Sequence, residues 1–485
     1  MLVSLYTVRV VLEVLGAEDY GIYNVVAGVV TMFSFLSGAM ATASQRYFSF
    51  DLGKKDYEQL KKTFSVSFVI YVLIALIVVV LAETLGLWFV YNKLVIPADR
   101  IQAARWIYHA AIISFVFTIL TTPYMALIIA HEDMNIYAYM SIVEAVLKLA
   151  LVFILPLLNA DKLIMYGILM AVVVIINTTL YRTICKKKYP ECKAKLQWDK
   201  GLFTELISYT GWNMFGASVG VFKNQAVNIV LNQFFNPVVI AARSIAIQVN
   251  AAVNSFSQSF STAVRPQIIK HYASESYEEM NKLVFRSCKM TFFLMCIITL
   301  PMLLEMPYIL NIWLKNVPQY AVIFTQLALL DALIDSVSYP LMAAAQATGR
   351  IKLYQAVVGL VLLLNVPLSL LALYVGFPPV SVFIVAILLT VTAFIVRLCI
   401  LKKLLVFSIV SFLSSVIAPL LISSSAVYAL LVFVVPLFDQ SFLRVLFTTG
   451  MSTTLCSVAF FTMMSKSEKK VVLTKIGNKF GRTNA

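Results

Sequence analysis

Two cations lie within apolar stretches of this chain, Lys223 and Arg243, and neither has an acidic residue one helical turn away. A charge inside a membrane-spanning helix costs roughly 2.5–3.5 kcal/mol on insertion scales, so each needs a reason to be there. Arg9 and Lys148 lie in similar stretches, but each has an acid four residues away, Glu13 and Glu144. That spacing places both charges on one helix face, where they can neutralise each other. The partner of Lys223 and Arg243 must come from elsewhere. It is either an acid on another helix, with Asp331 and Asp335 as candidates, or an anionic substrate. Arg243, Asn250, Asn254, Ser257 and Ser261 follow spacings of 7, 4, 3 and 4, so they line one helix face. The preceding segment adds Asn213, Asn224 and Asn228, with Gly216 and Gly220 spaced for close helix contact. Amides, hydroxyls and cations in this combination suit hydrogen bonding to sugar hydroxyls and to phosphate. The alternative is that these small polar residues only hold helices together. A site for a hydrophobic drug would carry more aromatic walls and fewer cations.

Asp331 and Asp335 sit one turn apart. Two like charges at that spacing in a low-dielectric site favour uptake of a proton or a sodium ion. They are therefore ion-coupling candidates, with Glu144 as a third; a counter-ion role toward Lys223 or Arg243 is the other reading. Glu83 and Glu305 lie nearer span ends, within reach of water. Signals for an enzyme are poor. The three histidines are His109, His131 and His271, and His131-Glu132-Asp133 reads as a turn between helices. There is no glycine-rich phosphate loop and no Gly-x-Ser-x-Gly elbow. Cys185 and Cys192 share one basic loop, where a metal site would need two further ligands. No enzyme activity, metal or cofactor is expected.

The elements that position these residues are membrane helices. Of 485 residues, 61% are hydrophobic and 13% charged, too little charge to cover a soluble protein of this length. The apolar residues come in runs of about 20, the length that spans a hydrocarbon core as a helix. The pattern gives an all-α integral membrane protein of about fourteen spans. They lie near 1–16, 20–44, 64–86, 106–130, 136–158, 162–184, 207–234, 238–264, 287–312, 320–347, 352–375, 378–401, 405–435 and 443–465. The first is short for a span. No cleavable signal peptide is recognised.

The net charge of +15 is not a nucleic-acid signature once its distribution is considered. Outside the spans, 28 Lys and Arg fall on one side, three of them at 397–403, and six on the other. That bias assigns the basic side to the cytoplasm. The tail 466–485 then reads as a basic cytoplasmic segment beside anionic lipid headgroups.

The chain also repeats itself. Ser37, Thr42 and Ala43 recur as Ser257, Thr262 and Ala263, and DYEQLKKT at 56–63 recurs as SYEEMNKL at 276–283. Pro123, Met125, Ala130 and Tyr137 recur as Pro340, Met342, Ala347 and Tyr354. Six spans per copy is an even number, so both copies insert with the same orientation. This gives two six-helix lobes, 1–184 and 207–401, joined by a basic linker, 185–206. A helix pair at 402–465 and the tail follow. Repetition of this kind marks transporters that rock two related halves about a central site.

LGAEDYGIYN at 15–24, RPQIIKHYASESYEEM at 265–280, PYILNIWL at 307–314 and ATGRIKLYQ at 347–355 together resemble bacterial oligosaccharide repeat-unit flippases. These are the Wzx-type members of the multidrug/oligosaccharidyl-lipid/polysaccharide exporter superfamily. The resemblance implies two six-helix lobes, alternating access and an undecaprenyl-pyrophosphate-linked oligosaccharide as substrate. That substrate would move from the cytoplasmic to the periplasmic leaflet of the inner membrane, for O-antigen, capsule or exopolysaccharide. It implies phosphate binding by Lys223 and Arg243, with Arg9 and Lys148 next, and sugar contacts by Asn224, Asn228, Asn250 and Asn254. Expected partners are membrane lipids, H+ or Na+, and other polysaccharide assembly proteins; nucleic acid is not among them. The rival functions are a cation-coupled multidrug exporter of the same superfamily and a membrane glycan polymerase. The polymerase would need a larger outward loop than any found.

Overall fold

The computed structural model describes residues 2–31, 33–93, 96–193, 197–235, 237–314, 316–463 and 469. Among these the only regular elements are helices. In lipid every backbone polar group must be satisfied internally, so long apolar runs have little alternative to helix. The first helices are α1 (Leu2–Thr31), α2 (Ser34–Lys54), α3 (Tyr57–Leu81), α4 (Ile101–Ala130), α5 (Met134–Ile154) and α6 (Lys162–Lys188). Then come α7 (Lys200–Phe234), α8 (Pro237–Ala273), α9 (Tyr277–Trp313), α10 (Ala321–Ser336), α11 (Ser338–Ala347) and α12 (Ile351–Leu363). The last are α13 (Asn365–Tyr374), α14 (Ser381–Leu404), α15 (Ala418–Val434) and α16 (Phe442–Met463).

Eleven helices among the described residues are long and apolar enough to cross a membrane by length and composition. The three further spans expected from sequence also fall on helices, with different bounds. Non-helical backbone at Gly16 (φ 77°) marks the expected gap between the first two. A turn at Phe33 then precedes α2, where a single span over 20–44 was expected. The third lies on α7, where Lys223, Asn224, Asn228 and their polar neighbours dilute the apolar run. The tail 466–485 lies outside the described residues apart from Lys469.

The repeat extends to backbone detail. Helices α3 and α9 begin 220 residues apart, at Tyr57 and Tyr277, and α4 and α10 likewise begin at Ile101 and Ala321. Left-handed residues follow α2 and α8 at matching places, Lys55 (φ 58°) and Glu275 (φ 58°). A second matching pair is Glu132 (φ 64°) and Gly349 (φ 75°), now 217 apart. The three-residue difference therefore arises inside one helix. The first copy runs unbroken through Pro123 from Ile101 to Ala130. The second is interrupted at Val337, just before Pro340.

Two compact units are formed. The first takes the residues up to Ser218 together with Ile269–Glu275; the second takes Val219–Ile268 and the chain from Ser276 onward. Within the first, α4 is central and packs on α1, α2, α3 and α6. The turn after α4 holds four partners with three consecutive side chains. His131 meets Glu191 at 2.6 Å and stacks on Tyr189, Glu132 pairs with Lys270 at 2.6 Å, and Asp133 pairs with Lys188 at 2.6 Å. Within the second unit, α14 packs on α10, α12 and α13, and α9 packs on α10 and α16. Arg444 on α16 reaches Glu305 on α9 with two bonds, 2.9 Å from Nε and 2.6 Å from Nη2. Glu305 was expected within reach of water. It is 1% exposed, because α16 covers it.

Asp51, at the basic end of α2, is buried and accepts a 2.6 Å hydrogen bond from Thr63. Burial pushes its carboxyl up to about 6, against the bond from Thr63 and the nearby Arg46. The folded state therefore holds a proton that the unfolded chain, at about 3.9, gives up earlier. Stability from this group is fully present below about pH 4 and is lost as pH rises to about 6. Asp51→Asn keeps the shape without the ionisation. Above about pH 6 it is expected to be more stable than the parent, by on the order of 2 kcal/mol. Melting curves of both proteins between about pH 4 and pH 7 check this; equal pH dependence contradicts it.

Candidate functional site

The second unit holds a partly open cavity of about 130 Å³. Its polar lining is Lys223 and Asn224 from α7, Arg243 and Asn250 from α8, Asp331 from α10 and Asn365 from α13. Val382 and Phe383 of α14 add apolar wall. Helical periodicity explains the convergence. On α7 the lining residues Lys223, Asn224 and Val227 fall within one turn of each other. On α8 they are Arg243, Ile247 and Asn250, spaced by four and three. Each helix therefore shows one face to the cavity, and on α8 Ile247 separates the two polar groups of that face.

Five residues singled out from sequence thus meet here: Lys223, Asn224, Arg243, Asn250 and Asp331. Arg243 is 5% exposed, and one guanidinium nitrogen donates to the Asn228 side-chain oxygen. No described carboxylate stands within ion-pair distance of it. Asn250 donates to the Ala328 carbonyl at 2.6 Å and accepts from Asn254 at 2.7 Å. Asn228, Asn250 and Asn254 therefore spend part of their bonding capacity inside the protein, and Asn224 is the exposed amide. Asp331 faces Lys223 and Thr390, and its Oδ1 is buried with no hydrogen-bond partner.

The remaining candidates lie elsewhere. Asp335 pairs with Arg397 at 2.8 Å, so the two aspartates are not equivalent like charges. Arg397, assigned from sequence to a basic loop, is instead buried within α14. Lys148 and Glu144 belong to the first unit and pair with each other at 2.6 Å, with Asn177 donating to the same carboxylate. The side chain of Arg9 lies outside the described residues. Sequence reasoning missed Asn365 and Arg397. Asn365 is 1% exposed, its Nδ2 has no partner, and it follows the break between α12 and α13, two residues before Pro367. Its signal was an amide beside a proline in an otherwise apolar run. Among the described residues no group of three His, Cys, Asp or Glu is placed to hold a metal ion. The six cysteines are free.

The model of a family described as "polysaccharide biosynthesis protein" matches residues 1–272, more than half of the chain. The chain belongs to that family. A second model, MatE, matches residues 214–371 of this transporter. No curated protein matches it by sequence. Solved structures match its fold. An outward-facing multidrug resistance MATE transporter of the MOP superfamily gives a TM-score of 0.71 at 11% identity, over 82% of this chain and 90% of its own. The MATE transporter ClbM in complex with Rb+ gives 0.67 at 14% identity, over 85% and 94%. A MOP superfamily transporter from Pyrococcus furiosus, described as having a binding pocket of reversed polarity, gives 0.65 at 10% identity, over 81% and 91%.

The family and fold are those of membrane transporters, not of enzymes. The cavity offers two cationic donors, one carboxylate and three amides.

Proposed function

We propose that this transporter flips a polyprenyl-pyrophosphate-linked oligosaccharide from the cytoplasmic to the periplasmic leaflet of a bacterial inner membrane, by alternating access. The observation that carries this reading is Arg243: a buried guanidinium, without an acidic partner among the described residues, on the wall of a cavity that also presents Lys223. A buried charge of this kind is unfavourable unless something neutralises it. A phosphate group matches both its sign and its fork of donors. Asn224 and Asn365 supply amides suited to sugar hydroxyls, while the polyprenyl tail remains in lipid. Asp331 neutralises Lys223 when the cavity is empty and exchanges it for a proton or Na+ when the headgroup arrives.

Membership of a polysaccharide biosynthesis family supports this substrate class. A drug cation would also be repelled by Arg243. The test is complementation of a strain lacking its own repeat-unit flippase, supplied with this chain and the matching glycan pathway. Restored surface polysaccharide is the expected result. Failure despite verified membrane expression, together with new resistance to cationic drugs, would transfer the assignment to the multidrug reading.

A further inference from the structure

The last residues of α8 do not belong with the rest of that helix. Val219–Ile268 lies in the second compact unit, whereas Ile269–Glu275 lies in the first. The change comes just after Pro266, a residue with no N–H to continue the helical hydrogen-bond ladder.

What holds Ile269–Glu275 in the first unit is specific. Gly53, near the end of α2, lies so close that a Cβ there would stand 2.7 Å from the Lys270 Cα and 2.8 Å from the Ala273 Cβ. Only glycine permits this approach. Gly53 and Ala273 are themselves 220 residues apart, so the contact joins matching positions of the two copies, each two residues before a left-handed residue at Lys55 and Glu275. Phe50 and Tyr272 lie beside it with ring centroids 6.5 Å apart, and Lys270 pairs with Glu132.

We infer that Ile269–Glu275 is a releasable latch, seated on Gly53 and Glu132 in this conformation and withdrawn from them during part of the transport cycle. Its fastenings suit release. The ion pair is 26% and 31% exposed, so water can replace it readily. The glycine contact is a short-range fit that is lost as a whole when the segment shifts. Pro266 places a weak point in the ladder where the segment can swing.

Exposed Lys54 and Ser274 flank the seat and tolerate cysteine. In a background with the native cysteines replaced, Lys54→Cys/Ser274→Cys is joined by a short bifunctional maleimide. Export of lipid-linked glycan is expected to fall at least tenfold on cross-linking, while each single variant treated alike exports as before. Undiminished export by the cross-linked protein overturns the latch. The transport readout rests on the flippase reading, so spin labels on the same two cysteines separate the failures. Two distance populations are expected, with the shorter depleted by Gly53→Val or by Lys270→Glu. A single short distance unchanged by either substitution overturns the latch, whatever the transporter carries.

Discussion

If the proposed flippase reading holds, glycan export is expected to be lost when Lys223 and Arg243 are both replaced by alanine, while the protein persists in the membrane. Each charge-assisted hydrogen bond to a phosphate contributes about 1.5–3 kcal/mol, so the pair together removes roughly 3–6 kcal/mol of substrate binding. That corresponds to about two to four powers of ten. The two positions differ in their structural consequences. Arg243→Ala removes a buried cation that no described carboxylate neutralises, and leaves only the Asn228 oxygen without its donor. Lys223→Ala deprives Asp331 of the cation it faces, so this variant loses some stability as well. Arg243→Lys keeps the charge without the two-pronged donor geometry and should fall between parent and alanine. Exported glycan and membrane abundance, measured in the same cells, decide the matter. Full export by the double variant would sink the cationic site.

Glu305→Ala is expected to have the largest effect on stability. It strips the carboxylate from Arg444, whose side chain is only 10% exposed and which gives Glu305 two hydrogen bonds. Removing one member of a buried pair costs about 3–5 kcal/mol, because the other charge is left without compensation. Thr448 loses an acceptor in the same event. Replacing both charged residues, as Glu305→Leu/Arg444→Met, should recover most of the loss, since no lone charge remains. Melting of the purified proteins in lipid nanodiscs would show a single variant well below both parent and double variant. A double variant as unstable as the sum of its singles would show that the pair is not acting as a unit.

The helical class was legible because run length and apolarity decide it, and the repeat because DYEQLKKT and SYEEMNKL sit at equivalent turns. Lys223 and Arg243 were legible for a related reason: a charge in an apolar run is conspicuous, and an empty place one turn away can be checked by counting. The partners of buried charges were harder to see. Asp335 meets Arg397, 62 positions along the chain, and Glu305 meets Arg444, 139 positions along. Such pairings depend on which helices pack together, which local spacing does not contain. Arg397 was further disguised by its place close to Lys402 and Lys403, where a basic loop was the simpler reading. Asn365 was passed over because a single amide carries no charge to attract notice. The helix boundaries near Gly16 and Thr31 were blurred because apolar runs continue across both breaks.

The interruption at Val337 bears on the three-residue difference between the matching segments. Three residues turn an α-helix through about 300°, which leaves everything beyond them about 60° out of phase. A helix shortened by three residues and kept straight would therefore point its Pro340 end in a different direction from the Pro123 end of the other copy. An interruption is a place where such a phase error can be absorbed, so that two matching segments can differ in length without the whole helix beyond them being turned.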